Sequence, residues 1–364
     1  MSRTAVVKIG TSSVTNALGE LDDDALRKLC ADVVAARSAG WQIVLVLSGA
    51  VAAGMPALGL TERPTDIGVL QAIAAVGQPR LIARVNHLLE DDGVIAGQVL
   101  LTPYDFVQRS QYLHARETFV RLLDLEVLPI VNENDTVADD EIRYGDNDRL
   151  AALVSHLLKA EVLVILTDIA GLFTADPRLD REASLIEEIV EVDAALELVA
   201  GRSGTARGSG GMASKLAAAK IAAWSGVRAV IAAASVGDVI LGALESRAGV
   251  GTTVRARAER LSARKLWIAF AQGAQGRLMV DDGARRALLE QGGSLLAAGV
   301  TAVEGQFEAG DAVEVVGLDG VAFAKGLAGA GAATVRTLAG KRSSELPDDA
   351  PAAIIHRDDL VVLP

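Results

Sequence analysis

A chain of 364 residues, 51% of them hydrophobic and 23% charged, has the length for two folded domains and a composition that excludes extended disorder. Its one cysteine, Cys30, excludes an intramolecular disulfide, and a formal net charge of −12 argues against non-specific attraction to nucleic acid unless a local basic patch exists. The opening "MSRTAVVKIGTSS" lacks the apolar core of a signal peptide and no later run approaches the ~20 apolar residues of a membrane span, so a cytoplasmic protein with no membrane partner is expected.

In chain order, "TAVVKI" reads as a strand, "DDDALRKLCADVVAARSAG" as an amphipathic helix and "QIVLVLS" as a second strand. Leu26, Leu29, Cys30 and Val33 share one face of that helix, which makes Cys30 a buried residue rather than a catalytic thiol. "GVIAGQVLL", "EVLPIVN", "EVLVILTD" and "VRAVIAAA" follow as further strands, with helical segments between them. Strands written as continuous Val, Ile and Leu are those covered on both faces, so an α/β fold is expected: an open, mostly parallel sheet with helices on both faces. Near residue 260 the pattern changes to short strands broken by Gly and Asp, with one helix over Ala284 to Gln291. "GLAGAGAATVRTLAGK" reads as a loosely helical connection. The expected division is a catalytic domain over 1–258, a linker over 259–274 and a small β-rich domain over 275–364.

Parallel sheets bind their ligands at the C-terminal ends of the strands. Polar residues gather at those ends: Lys8 and Gly10, Ser48 and Gly49, then Asn132, Asn134 and Asp135, then Thr167 and Asp168. The stretch "GSGGMASKL", residues 208–216, departs from the G-x-x-x-x-G-K-[ST] phosphate loop, since Ser214 precedes Lys215 and Leu216 follows it. It reads either as a mobile Gly/Ser loop or as a helix N-terminus whose free N–H groups suit an anion. "VKIGTSS" favours the anion: Lys8 inside a Val/Ile strand is costly to bury without an anionic partner, and two lysines set against glycines fit opposite sides of a phosphate chain. "YGDNDRLAALV" places Asp146, Asn147 and Asp148 before a helix, where one can cap it but three exceed that need.

Seven stretches in order, "VKIGTSS", "LVLSGAVAAG", "PIVNENDTV", "GDNDRLAALV", "LTDIAGLFTADPR", "GSGGMASKLAAAKIA" and "GVGTTV", resemble the amino acid kinase superfamily, specifically its glutamate 5-kinase family, up to about residue 255. The tail "VDDGARRALLEQGGSLLAAGVTAVEGQFEAGDAVEVV" is similar to the PUA domain. The resemblance implies the amino acid kinase fold, a PUA-like tail and transfer of the γ-phosphoryl of ATP to the side-chain carboxylate of L-glutamate, the first step of proline synthesis. It implies that Lys8 and Lys215 neutralise the transferring group and that Asp148 holds both lysines by hydrogen bonds. It further implies nucleotide binding by Lys8, Gly10, Thr167, Asp168, Ser209, Gly210, Gly211, Met212, Ala213, Ser214 and Lys215. Glutamate is then expected against Ser48, Gly49, Asn134, Asp135 and Asn147, with Asp135 facing the α-ammonium group. ATP brings its own Mg²⁺, with no metal site of the protein; L-proline is the implied feedback inhibitor, its feedback residues sought at 141–144, and a homo-oligomer the implied assembly. Ser209 and Ser214 stand where relatives often have Thr, which keeps the hydroxyl.

Three rival readings stand beside this one. N-acetylglutamate kinase shares the fold but has no use for a carboxylate aimed at an ammonium, and aspartokinase carries regulatory domains that read as longer βαβ units. A different class is an RNA-binding PUA protein with a vestigial kinase domain, against which the intact lysines and Asp148 count. From Gly273 to Pro364 eight Lys/Arg face thirteen Asp/Glu, a balance of −5 that is poor ground for a nucleic-acid site. The tail's only aromatics, Phe307 and Phe323, sit among apolar neighbours as core residues rather than stacking platforms.

Overall fold

The computed structural model describes residues 3–363 apart from 17, 107, 138–146, 178, 181, 203–210, 272 and 348–349. The chain divides into two compact units, Met1–Arg260 and Leu261–Pro364. The first runs β1 (Arg3–Ile9), α1 (Asp23–Ser38), β2 (Trp41–Leu47), α2 (Ala50–Gly54), α3 (Ile67–Glu90), β3 (Ala96–Leu101), α4 (Arg109–Asp124) and β4 (Leu128–Glu133). It continues with α5 (Asn147–Leu158), β5 (Val162–Thr167), β6 (Glu188–Ile189), α6 (Ala194–Arg202), α7 (Met212–Trp224), β7 (Arg228–Ala233), α8 (Val239–Leu244) and β8 (Thr252–Val254).

Among the described residues, eight of these strands form one sheet in the order β3-β4-β2-β1-β5-β7-β8-β6. Every neighbouring pair is parallel except β7 with β8. β1 sits mid-sheet, so Ala5, Val6 and Val7 are wholly buried and the run of branched residues has apolar cover on both faces. Successive side chains point to opposite faces. Ala5, Val7 and Ile9 therefore join a core with α1, α3 and α8, while Lys8 turns to the side of α5.

Helix α1 starts where Asp22 accepts hydrogen bonds from the N–H groups of Asp24 and Ala25 at 3.0 and 3.1 Å, a side-chain cap for donors that have no partner inside the helix. Its inward face carries Leu26, Leu29, Cys30, Val33 and Ala36, as its apolar spacing predicts. Burial pushes the Cys30 thiol up to about 11, so it is a packed apolar group at neutral pH. β6 and β8 are too short, at two and three residues, to leave a period in the sequence. No helix among the described residues is long and apolar enough to cross a membrane.

In the second unit, β9 (Gly276–Val280), β10 (Val300–Gly305), β11 (Ala312–Val316), β12 (Ala322–Leu327) and β13 (Leu360–Val362) form a sheet in the order β10-β9-β11-β12-β13. A helix at Asp282–Gln291 agrees with the expected one, and a short helix at Ala332–Leu338 lies within the Ala/Gly-biased stretch. Phe307 and Phe323 are buried in a core with Leu278, Val313, Val315 and Ile355. Residues 261–271, inside the stretch expected to be a linker, instead supply helical turns at Ala263–Leu266 and Trp267–Ala271 to this unit. Leu266 and Ile268 are buried there, an apolar content that a solvated linker would not carry.

The tightest point of the first unit lies between α2 and α3. A Cβ placed on Gly77 would stand 1.8 Å from the carbonyl oxygen of Ala50, and one on Gly54 would stand 2.2 Å from that of Ile73. Only two glycines allow these backbones to touch, and α2 starts directly after Ser48 and Gly49. Gly77→Ala is expected to destabilise the unit by about 3 kcal/mol, a fall of about 6–12 °C in its melting temperature, measured by scanning calorimetry.

Burial, with Arg260 and Lys159 nearby, pushes His156 down from 6.5 to about 4. The unfolded chain therefore takes up this proton first, so stability is complete above pH ~6.5 and declines on acidification toward pH ~4. The expected loss from this residue between pH 7 and 5 is about 2 kcal/mol. Melting His156→Gln and the parent across that range checks it: the substitution should flatten the pH dependence by that amount.

Candidate active site

At the C-terminal edge of the first sheet, Asp148 is fully buried and grips two lysines. Lys8 Nζ lies 2.5 Å from Asp148 Oδ1, and Lys215 Nζ lies 3.4 Å from Oδ2. Ser214 donates its hydroxyl to the same Oδ2 at 2.9 Å. Lys8 comes from the end of β1, Asp148 from the first turn of α5, and Ser214 and Lys215 from the first turn of α7. Burial alone would push the Asp148 carboxyl up. The charges of Lys8 and Lys215, with hydrogen bonds from Lys8 and Ser214, outweigh it and hold the group below the usual carboxylate range. Two ammonium groups and one carboxylate thus meet where two helices begin. Helix starts present unpaired N–H groups, so the arrangement suits a polyanion.

Beside it lies a set of side-chain amides. Asn147 donates from Nδ2 to Ser48 Oγ at 3.0 Å and to Asn132 Oδ1 at 2.9 Å. Asn132 in turn donates to Gln78 Oε1 at 2.8 Å. Gly49 follows Ser48 with φ of 122°, a conformation that side-chain-bearing residues rarely adopt, and precedes the first residue of α2. Asn147 and Asp148 lie inside the first turn of α5 rather than before it, because the helix begins at Asn147.

Asn134 and Asp135 follow the end of β4, where Thr136 donates to Asn134 Oδ1 at 2.6 Å. Asp135 is half-buried. Burial pushes its carboxyl up and Arg63 opposes the shift, the environment of a carboxylate that would take a cation. Thr167, buried at the end of β5, donates to Asp168 at 3.0 Å. Both line a cavity of about 440 Å³ with Ser12, Ser13, Lys28 and Asp32. Gly10 adjoins Lys8, and a Cβ there would stand 3.5 Å from the lysine amine. Gly211 is the N-cap of α7, and Met212, Ala213, Ser214 and Lys215 form its first turn. Ser209, Gly210, Asp146 and residues 141–144 lie outside the described residues.

Four strand ends and two helix starts thus supply every described residue of the expected site. Gln78 was not among them: in the sequence it is one polar residue within a long helix, and only the fold brings it against Asn132. Asn132 stood out as part of a polar cluster, but nothing in the sequence told that it faces Asn147. Among the described residues no group of three or more His, Cys, Asp or Glu could hold a metal ion.

An open parallel sheet ending in paired lysines about one carboxylate defines a phosphate-transferring enzyme of the amino acid kinase type, and residues 3–233 match the amino acid kinase family. Residues 276–348 match the PUA domain. The carbamate kinase from Giardia lamblia bound to AMP-PNP is similar in fold alone, with 14% identity and a TM-score of 0.50 over 70% of this chain and 98% of that one. The glutamate 5-kinase of Mycobacterium avium (strain 104) is 44% identical over 362 residues, covering 100% of this chain and 97% of that protein. That of Rhodococcus opacus (strain B4) is 46% identical over 358 residues, covering 98% and 96%. The chain belongs to the glutamate 5-kinase family of amino acid kinases.

Asp148→Asn would remove the carboxylate that two buried ammonium groups share. Breaking a buried charge cluster in this way costs about 3–5 kcal/mol. The variant should melt well below the parent without ligand and regain a larger increment than the parent when ATP is added, as fluorescence-monitored melting would show.

Proposed function

We propose that this protein phosphorylates the side-chain carboxylate of L-glutamate with ATP. The observation that carries the reading is the buried Lys8–Asp148–Lys215 cluster at the C-terminal edge of the sheet, where Asp135 follows the end of β4 and Thr167 and Asp168 stand at the end of β5. A glutamate carboxylate has a pKa near 4.3 and is ionised at neutral pH, so no general base is needed. One of its oxygens attacks the γ-phosphorus, the bond from phosphorus to the bridging oxygen breaks, and ADP leaves with that electron pair. What the protein must supply is position and charge neutralisation.

Lys8 and Lys215 take the charge spread over the transferring group and the β-phosphate, and Asp148 keeps both ammonium groups on target. Gly10, Thr167, Asp168 and the first turn of α7 bind the nucleotide, a role the sequence also gives to Ser209 and Gly210. Ser48, Gly49, Asn134 and Asn147 hold the glutamate, with Asp135 against its α-ammonium group. Mg²⁺ carried by ATP would screen its phosphates, while Asp148 is committed to Lys8 and Lys215. Proline shares the α-carboxylate and amino nitrogen of glutamate but lacks the acceptor, and on this reading it competes for the same pocket.

Release of ADP, followed with L-glutamate, N-acetyl-L-glutamate and L-aspartate in parallel, tests the reading. Turnover should require L-glutamate, and proline should raise its apparent KM without changing kcat. Lys215→Met, which keeps the aliphatic stem and removes the charge, should lower kcat at least ~100-fold with glutamate KM little changed. Turnover with N-acetyl-L-glutamate alone, or an unchanged kcat in Lys215→Met, would overturn the assignment.

A further inference from the structure

Three amides and a hydroxyl form one chain of hydrogen bonds from α3 to the substrate side of the site, and its polarity is set by the backbone. The Glu133 N–H can only donate, and it does so to Asn132 Oδ1 at 2.9 Å and to Asn147 Oδ1 at 3.3 Å. Oxygen therefore faces the backbone in both asparagines, which turns both Nδ2 groups away as donors. Asn147 Nδ2 spends its hydrogens on Asn132 and Ser48, and Asn132 Nδ2 spends one on Gln78 Oε1. Ser48 Oγ thus accepts from Asn147, and its own hydrogen is left to donate. Asn132, Asn147 and Ser48 are 2%, 7% and 9% exposed, so water cannot take the place of a lost partner cheaply.

We infer that Gln78 is a positioning residue for the carboxylate substrate: its side-chain oxygen terminates this chain and so keeps the Ser48 hydroxyl pointed as a donor toward a bound carboxylate. Its place is rigid, because the adjoining Gly77 lies against the Ala50 carbonyl with no room for a Cβ. α2, which carries Ala50, starts next to Ser48 and Gly49. One pair of helices thus fixes both ends of the chain. Without an acceptor at position 78, Asn132 Nδ2 is buried unpaired, and its relief is to turn or shift, which withdraws Asn132 Oδ1 from Asn147.

The inference rests on the glutamate reading above, and wild-type turnover with L-glutamate tests that reading separately. Gln78→Met replaces the amide by an apolar group of similar length. It should raise the KM for glutamate about tenfold, 1.4 kcal/mol, with kcat and the KM for ATP within about twofold of the parent. Ser48→Ala should raise the same KM by a similar factor, and the double variant should be little worse than either single one, because both break one chain. A hundredfold rise in the double variant, an unchanged glutamate KM in Gln78→Met, or a fall confined to kcat or to ATP affinity would overturn it. Melting curves establish that each variant is folded. If Gln78→Met does not fold, Gln78→Asn, which draws the amide back by one methylene, goes through the same cycle with the same criteria.

Discussion

A carboxylate with no exposed surface holds this site together. Asp148 could not remain ionised in that position by itself, since taking a lone carboxylate out of water is far more costly than protonating it. Lys8 and Lys215 make it an ion, and it makes them compatible with burial. The three residues come from a strand and two helices separated by more than 200 positions in sequence, so the cluster also pins β1, α5 and α7 in register at the edge of the sheet. Two ammonium groups thus meet at one carboxylate beside the starts of α5 and α7.

The sheet explains why such a cluster sits where it does. In parallel strands all C-terminal ends lie on one edge, and helices that start at that edge aim their free N–H groups toward it. Lys8, Ser48, Asn132 and Thr167 each lie at or next to the C-terminal residue of a strand, and Asn147 and Met212 each begin a helix. Polar residues converge there without interrupting the apolar interior, where β1, β2 and β5 are almost entirely buried.

The amide chain alongside the ionic cluster has a different physical character. Charge neutralisation tolerates some play, because Coulomb energy varies slowly with distance. Hydrogen-bond polarity does not, since an amide turned by half a revolution offers a donor in place of an acceptor. The backbone N–H of Glu133 settles the direction of two asparagines at once. Gln78 then closes a sequence of contacts that no local signal in α3 announces. The close approach of α2 and α3 through Gly54 and Gly77 belongs to the same arrangement, since it sets the distance from Gln78 to the strand end that carries Ser48.

Local pattern alone determined the broad design. Continuous Val, Ile and Leu runs announced buried parallel strands, the spacing of Leu26, Leu29, Cys30 and Val33 announced the inner face of α1, and an abrupt change of texture near residue 260 announced a second unit. Each of these follows from residues near one another in the chain, where periodicity and turn chemistry operate. The lysines, Asp148 and the strand-end asparagines were legible as candidates because polar groups in or beside apolar strands are conspicuous. Local pattern did not give their pairing, which only the family resemblance implied, since the distance from Lys8 to Asp148 is a property of how β1 meets α5. The short strands β6 and β8, the helical turns at 263–271 and Gln78 escaped for a related reason. Two or three residues carry no period, and one glutamine on a long helix resembles any other until the helix is packed. Tertiary structure decided which of many polar residues touch, because hydrogen bonds and ion pairs act over a few ångströms while the residues that make them are far apart along the chain.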